Sequence, residues 1–166
     1  MSVPASVQAV AEPGRPSTWN PTRLFRAVAI AEAVTWAGLL AGMFLKYVTE
    51  TTEVGVRVFG MLHGVVFIAY VVTTLVVWAD RKWTAGRGLL ALVASVPPLM
   101  TLPLEWHAVR RGWLGDTWRL PAGAGSSLPD RVVAWLLRNP LRGVGVGLVA
   151  VMALTGLALL VGPPTS

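Results

Sequence analysis

Two long apolar runs, Leu24 to Leu45 and about Val56 to Ala79, constrain this chain more than anything else in it. Each supplies the roughly 20 residues that a helix needs to cross a bilayer core. The chain has 166 residues, of which 54% are hydrophobic and 13% charged, too apolar for a soluble domain of that size. Much of its surface must therefore face lipid. The net charge of +6 fits this placement, because the arginines flank the apolar runs, where they meet anionic headgroups and set topology. A nucleic-acid partner is not expected. Without cysteine, disulfides, thiolate metal sites and cysteine nucleophiles are excluded.

Two further apolar segments follow. Ala85 to Leu104 contains Pro97, Pro98 and Pro103, which remove backbone donors and interrupt a helix, whereas Leu141 to Val161 runs without a break. Between them, Ser127-Leu128-Pro129-Asp130 is a helix start, and Arg131 to Arg138 interleaves Val132, Val133, Trp135, Leu136 and Leu137 with terminal arginines. That pattern belongs to a helix lying in the membrane interface, with Trp135 and Leu136 on the buried side and Arg131 and Arg138 towards phosphates. The expected fold is an all-α integral membrane protein: a small bundle of four hydrophobic helices, the third proline-broken, plus one interfacial amphipathic helix. Its parts are a flexible tail over 1–22, a three-helix membrane unit over 23–110, a linker with the interfacial helix over 111–140, and a C-terminal transmembrane helix over 141–162. The first 22 residues contain no apolar core ending in a cleavage site, so no secretory signal is expected.

Charge counting separates two topologies. Four full crossings put six Lys and Arg on the N-terminal side and eight on the other, which gives no orientation. If the third segment instead dips in and returns, the split becomes twelve against two, with Lys46 and Arg57 alone on the far side. Segment length favours four crossings, and both versions accommodate a cytoplasmic N-terminus in a bacterial plasma membrane.

Small residues mark the packing faces. Ala29, Ala33, Ala37 and Ala41 recur every four residues in the first run beside Gly38 and Gly42, while Gly143 and Gly147 repeat the spacing in the last. Such faces let helices approach closely, within a bundle or against a partner subunit. Ionisable groups within the spans are the functional candidates. Glu32 lies about 12 Å into the first helix at 1.5 Å per residue, and His63 stands near the start of the second. In an antiparallel hairpin the two fall about 8 Å apart in height. Tyr70 is then level with Glu32, and His63-Gly64 with the Gly38 notch. The preferred reading is a polar clamp in which Tyr70 donates to Glu32; the alternative is a proton or cation relay through Glu32 and His63. Lys46, Tyr47, Glu50, Glu53 and Arg57 form a charge-balanced turn. Glu105-Trp106-His107 echoes them beyond the third segment.

Other chemistry is thin. Two distant histidines without carboxylates at ligand spacing make no metal site, and no cofactor is expected. No serine elbow, phosphate loop or Rossmann fingerprint occurs; Gly143-Val-Gly-Val-Gly147 lacks a preceding strand. The expectation is a non-catalytic protein, an accessory or structural subunit docking on a larger membrane complex. A small proton- or cation-coupled transporter is the alternative.

The runs Phe25-Arg26 through Glu32 to Trp36, Gly42-Met43 to Lys46-Tyr47, and Val58 through Gly60, His63-Gly64 and Phe67 to Tyr70 resemble the YdzA-like family of small bacterial integral membrane proteins. The resemblance covers about Leu24 to Arg110, and it implies a three-helix unit of unestablished activity. Where that family's third helix closes on a Pro-Phe-Gly-like motif, this chain has Pro97-Pro98-Leu99-Met100. The linker and the last helix lie outside the resemblance.

Overall fold

The computed structural model describes residues 20–120 and 127–161. The tail expected over 1–22 lies almost wholly outside them. All regular structure among the described residues is helical: α1 (Pro21–Tyr47), α2 (Val54–Arg81), α3 (Ala85–Val93), α4 (Thr101–Arg110), α5 (Leu128–Arg138) and α6 (Pro140–Val161).

Local chemistry sets the ends of α1 and α2. Asn20 caps α1, accepting from the N–H of Arg23 at 2.7 Å, and Pro21 occupies the first turn, where its missing donor costs nothing. Lys82, left-handed at φ 49°, stops α2. With 27 and 28 residues, these are the two described helices that are long and apolar enough to cross a membrane. Their outward faces carry exposed Ile30, Val34, Leu40, Phe44, Met61, Leu62 and Leu75, as lipid-facing surfaces do.

The two helices pack antiparallel with almost no side chain between their far ends. A Cβ on Gly42 would stand 2.6 Å from the carbonyl carbon of Gly55, and one on Gly38 would overlap the Phe59 ring. Descending from there, Thr35 meets His63 and Phe25 meets Tyr70. This register lies about one turn away from the one predicted. The turn explains it, because residues 48–53 fold back along the end of α1 before α2 begins. The N–H of Thr49 donates to Phe44 O and that of Thr51 to Leu45 O, while Glu50 takes a left-handed φ of 51°.

The third apolar segment departs from a crossing helix. α3 and α4 have nine and ten residues, about 14 and 15 Å at 1.5 Å per residue, each too short to span. Their contacts run up the bundle and down again. Gly88 lies under the Trp78 ring, Tyr70 donates to Ala91 O at 3.0 Å, and Trp36 reaches Ser95 O at 3.4 Å. On the way down, Thr101 meets Glu32, Glu105 meets Arg26, and Thr22 donates to Gly115 O. The segment is therefore a hairpin with both feet at the N-terminal end of α1. Its apex is level with Trp36, about 22 Å above Pro21 at 1.5 Å per residue. Exposed Pro97 and Pro98 sit in the turn, and Leu99 is left-handed at φ 65°. Phe25, Ala29, Tyr70, Ala91, Leu104 and Ala108 fill the space between the hairpin and the long helices.

A tryptophan-lined floor closes the lower end. Trp83 Nε1 donates to Trp113 O, Trp78 Nε1 donates to Trp83 O, both at 2.9 Å, and Arg87 stacks over the Trp113 ring. Asp80, fully buried at the end of α2, accepts the backbone N–H groups of Arg119 and Leu120, each at 2.9 Å, and so pins the linker under the bundle. Beyond it, Ser127 and Asp130 complete a capping box for α5. α5 and α6 meet at a bend of 115°, and both pack on α2.

Two outcomes follow. Gly42→Leu, forced against the backbone at Gly55, is expected to cost at least the roughly 1–3 kcal/mol of an overpacked core, whereas Leu40→Ala on the outer face is close to neutral; thermal unfolding in detergent measures both. Asp80→Ala strands two linker N–H groups, at roughly 1–3 kcal/mol each, while Asp80→Asn keeps an acceptor and most of the stability. Protease cutting within 113–120 distinguishes the two variants.

Candidate functional site

One end of α1 is occupied by the floor and the other by the glycine contact, and between them lies the polar cluster around Glu32. An apolar stretch delivers Glu32 to the inner face because Phe25, Ala29, Glu32 and Ala33 share one side of the helix, all buried. Glu32 is fully buried, and its Oε2 lies 2.6 Å from Thr101 Oγ1 at the first turn of α4. Thr101, itself fully buried, also lies 3.3 Å from Ala29 O. One and a half turns below, Arg26 Nε donates to Glu105 Oε1 at 2.7 Å, with the Arg26 side chain half exposed. α1 and α4 are thus joined by an ion pair at the rim and a carboxyl–hydroxyl contact inside.

Above Glu32, Thr35 Oγ1 donates to Glu32 O at 2.9 Å and lies 3.2 Å from His63 Nδ1. The Trp36 ring packs on the His63 ring, with centroids 4.5 Å apart, and its indole N–H points to the hairpin apex at Ser95 O. One layer of side chains therefore links α1, α2 and the turn of the hairpin. Chemically it is a buried acid, two threonine hydroxyls, an indole and an imidazole, with contacts that cross between α1, α2, α4 and the hairpin turn. Among the described residues no group of three His, Cys, Asp or Glu side chains could hold a metal ion.

The expected partnerships change accordingly. Tyr70 is fully buried, as a clamp residue should be, but its hydroxyl donates to Ala91 O and not to Glu32. His63 meets Thr35 and Trp36, and Phe59 fills the place opposite Gly38. Both corrections arise from the same one-turn shift, which sets Tyr70 beside Phe25. The small-residue face is likewise redistributed. Ala29, Ala33 and Gly42 are buried, Ala37 and Ala41 are exposed, and a Cβ on Gly64 or Gly147 would meet nothing within 4 Å. Gly143 is tight, but against Leu136 O at the α5–α6 elbow. In the far turn, Lys46 pairs with Glu53 at 3.5 Å and lies over the Tyr47 ring, while Glu50 and Arg57 are exposed. Arg131, Trp135 and Arg138 all stand exposed on α5 and Leu136 is half-buried.

Thr101, Thr35, Trp36, Asp80 and Gly55 are the structural partners that sequence reading missed. Thr101 carried a signal: with Ser95 it is one of the two polar residues that flank the proline pair in an otherwise apolar stretch. Asp80 was visible too, as an acid at a helix C-terminus, where the dipole disfavours it and a specific donor must compensate.

Comparison with known proteins agrees with the membrane character of the chain. No solved structure matches. A Streptomyces coelicolor protein named "Putative membrane protein SCO5905" is 52% identical over 117 residues, which cover 68% of this chain and 14% of that protein. The chain thus spans about one seventh of its relative's length. Residues 22–110, from the start of α1 to the end of α4, match a family described as a domain of unknown function, DUF3817, which is not the YdzA-like name that the sequence suggested. That stretch is more than half of the chain, and two apolar helices anchor it: the protein is a membrane protein of the DUF3817 family.

Proposed function

We propose that this chain is a non-catalytic accessory subunit that docks on a larger complex in the bacterial plasma membrane, with the Glu32 layer as an internal brace. The observation that carries the reading is that the polar side chains of α1 are directed at the hairpin, from buried Glu32 to Thr101, from half-buried Trp36 to Ser95 O and from Arg26 at the rim to Glu105. Buried polar contacts of this kind hold membrane helices together. The S. coelicolor relative supports it from another direction, since the matched segment is a small part of a much longer chain whose name is that of a membrane protein.

In this reading α1, α2 and α6 cross the bilayer, the α3–α4 hairpin enters and leaves on one side, and α5 lies in the interface. Among residues 20–120 the hairpin leaves Lys46 and Arg57 at the far end and eight Lys and Arg at the end holding Asn20. That end is then cytoplasmic. Anionic headgroups meet its arginines, and partner subunits meet the exposed apolar flanks of the helices.

The alternative, a proton- or cation-coupled carrier, is favoured by one feature, the Thr35–His63 contact one turn from Glu32. A carrier must change the charge or ligand state of Glu32 during its cycle. Glu32→Gln then abolishes flux, whereas a brace survives the substitution because an amide still bonds Thr101. The expected pattern is retained partner recovery and unchanged vesicle proton uptake in Glu32→Gln, with partner recovery reduced in Glu32→Leu. Wild-type proton uptake that vanishes in Glu32→Gln, with association intact, overturns the subunit reading.

A further inference from the structure

The hydrogen count at Thr101 carries an inference about Glu32. A threonine hydroxyl has one hydrogen to donate and can accept two. Thr101 Oγ1 lies within hydrogen-bond distance of two oxygens, Glu32 Oε2 at 2.6 Å and Ala29 O at 3.3 Å. Ala29 O is a carbonyl and can only accept. Unless the single hydrogen is split between the two acceptors, which weakens both bonds, the second hydrogen must come from Glu32.

The surroundings point the same way. Glu32 Oε1 is buried without a hydrogen-bond partner. An ionised carboxylate would leave negative charge on that oxygen in an apolar interior, which is far costlier than leaving a neutral carbonyl oxygen unpaired. Among the described residues no neighbouring element brings a cation to it. On α1, Arg26 is committed to Glu105 of α4. On α2, His63 is held between Thr35 and Trp36, and Tyr70 donates to Ala91 O. α3 presents Ala91 and the turn after it Ala94, with Arg87 drawn down to Trp113 at the floor. On α4, Glu105 brings a like charge and His107 turns to Trp113. The indole N–H of Trp36, the remaining donor of this layer, reaches Ser95 O at 3.4 Å and lies beside the Glu32 carboxyl, but it is neutral and brings no positive charge.

We propose that Glu32 is a proton-binding site occupied in the folded protein, a neutral carboxylic acid that donates through Oε2 to Thr101 Oγ1, with Thr101 donating in turn to Ala29 O. The bound proton makes the brace: it supplies the hydrogen that holds the head of α4 to α1 and removes the charge that would drive the hairpin away. This rests on the bracing role of Glu32, but it fails separately, because vesicle uptake tests that role and vibrational spectroscopy tests the proton.

The experiment is infrared difference spectroscopy of the full chain reconstituted in lipid at neutral pH. Wild type minus Glu32→Gln should show one protonated-carboxyl C=O band, shifted by deuterium. Thr101→Val, which removes the acceptor, should move that band to the position of an acid without a hydrogen bond. Where Glu32→Gln does not fold, carbon-13 labelling of glutamate in the wild type identifies the band and Thr101→Val assigns it. Hydrogen exchange over 94–101, referenced to Glu32→Gln at each pH, should rise in wild type as the band is lost on alkalinisation. Absence of the band at neutral pH, or a band that Thr101→Val leaves in place, overturns the proposal.

Discussion

The contact between Glu32 and Thr101 is the constraint around which the lower half of the molecule is arranged. A carboxyl group buried in an apolar bundle must have a polar partner, and here that partner comes from the second half of a broken segment. The hairpin must therefore return along α1 to bring Thr101 to the level of Glu32, and Trp36 then meets its turn at Ser95 O. Arg26–Glu105 extends the same seam to the rim, where water shares the Arg26 side chain and the pair contributes correspondingly less. The buried contact sets position, and the exposed pair adds to it.

The upper half follows a different rule. Above Trp36 the hairpin is absent and α1 faces α2, so backbone proximity replaces polar contact. Gly42 and Gly55 allow the main chains to touch, and Phe59 fills the notch at Gly38. Dispersion across a close backbone contact does there what hydrogen bonding does below. The division explains why Ala37 and Ala41, which continue the alanine stripe of the sequence, stand exposed. Below, α1 has neighbours on two sides and buries two rows of residues; above, it has one.

Much of this was legible in the sequence, and what was not has physical reasons. The first two apolar runs were placed within a few residues of α1 and α2, since hydrophobic length reports crossing helices directly. Ser127 to Asp130 marked a helix start because capping is local chemistry. Glu32 stood out by cost alone. Its partner did not, because pairing depends on register, and register depends on how residues 48–53 are spent. Six residues that fold back over one turn displace every facing pair, which moved Tyr70 from Glu32 to Phe25. Gly55 lay at the edge of a loop by sequence and proved to be a contact. Asp80 lies just past the second apolar run, and its burial becomes visible only once the linker lies beneath it.

The short arms of the hairpin also have a consequence for how the chain is made. Nine and ten helical residues are too few to hold a segment across a bilayer by apolarity alone. Neither arm can settle on leaving the ribosome as α1 and α2 can. Each needs a protein wall already standing, α2 for the first arm and α1 for the second, because the open backbone of the turn must be shielded from lipid. Biogenesis is thereby ordered: the long pair inserts and closes on its glycines, and the hairpin enters afterwards as a late step of folding, leaving a time during synthesis when Glu32 has no partner from within its own chain.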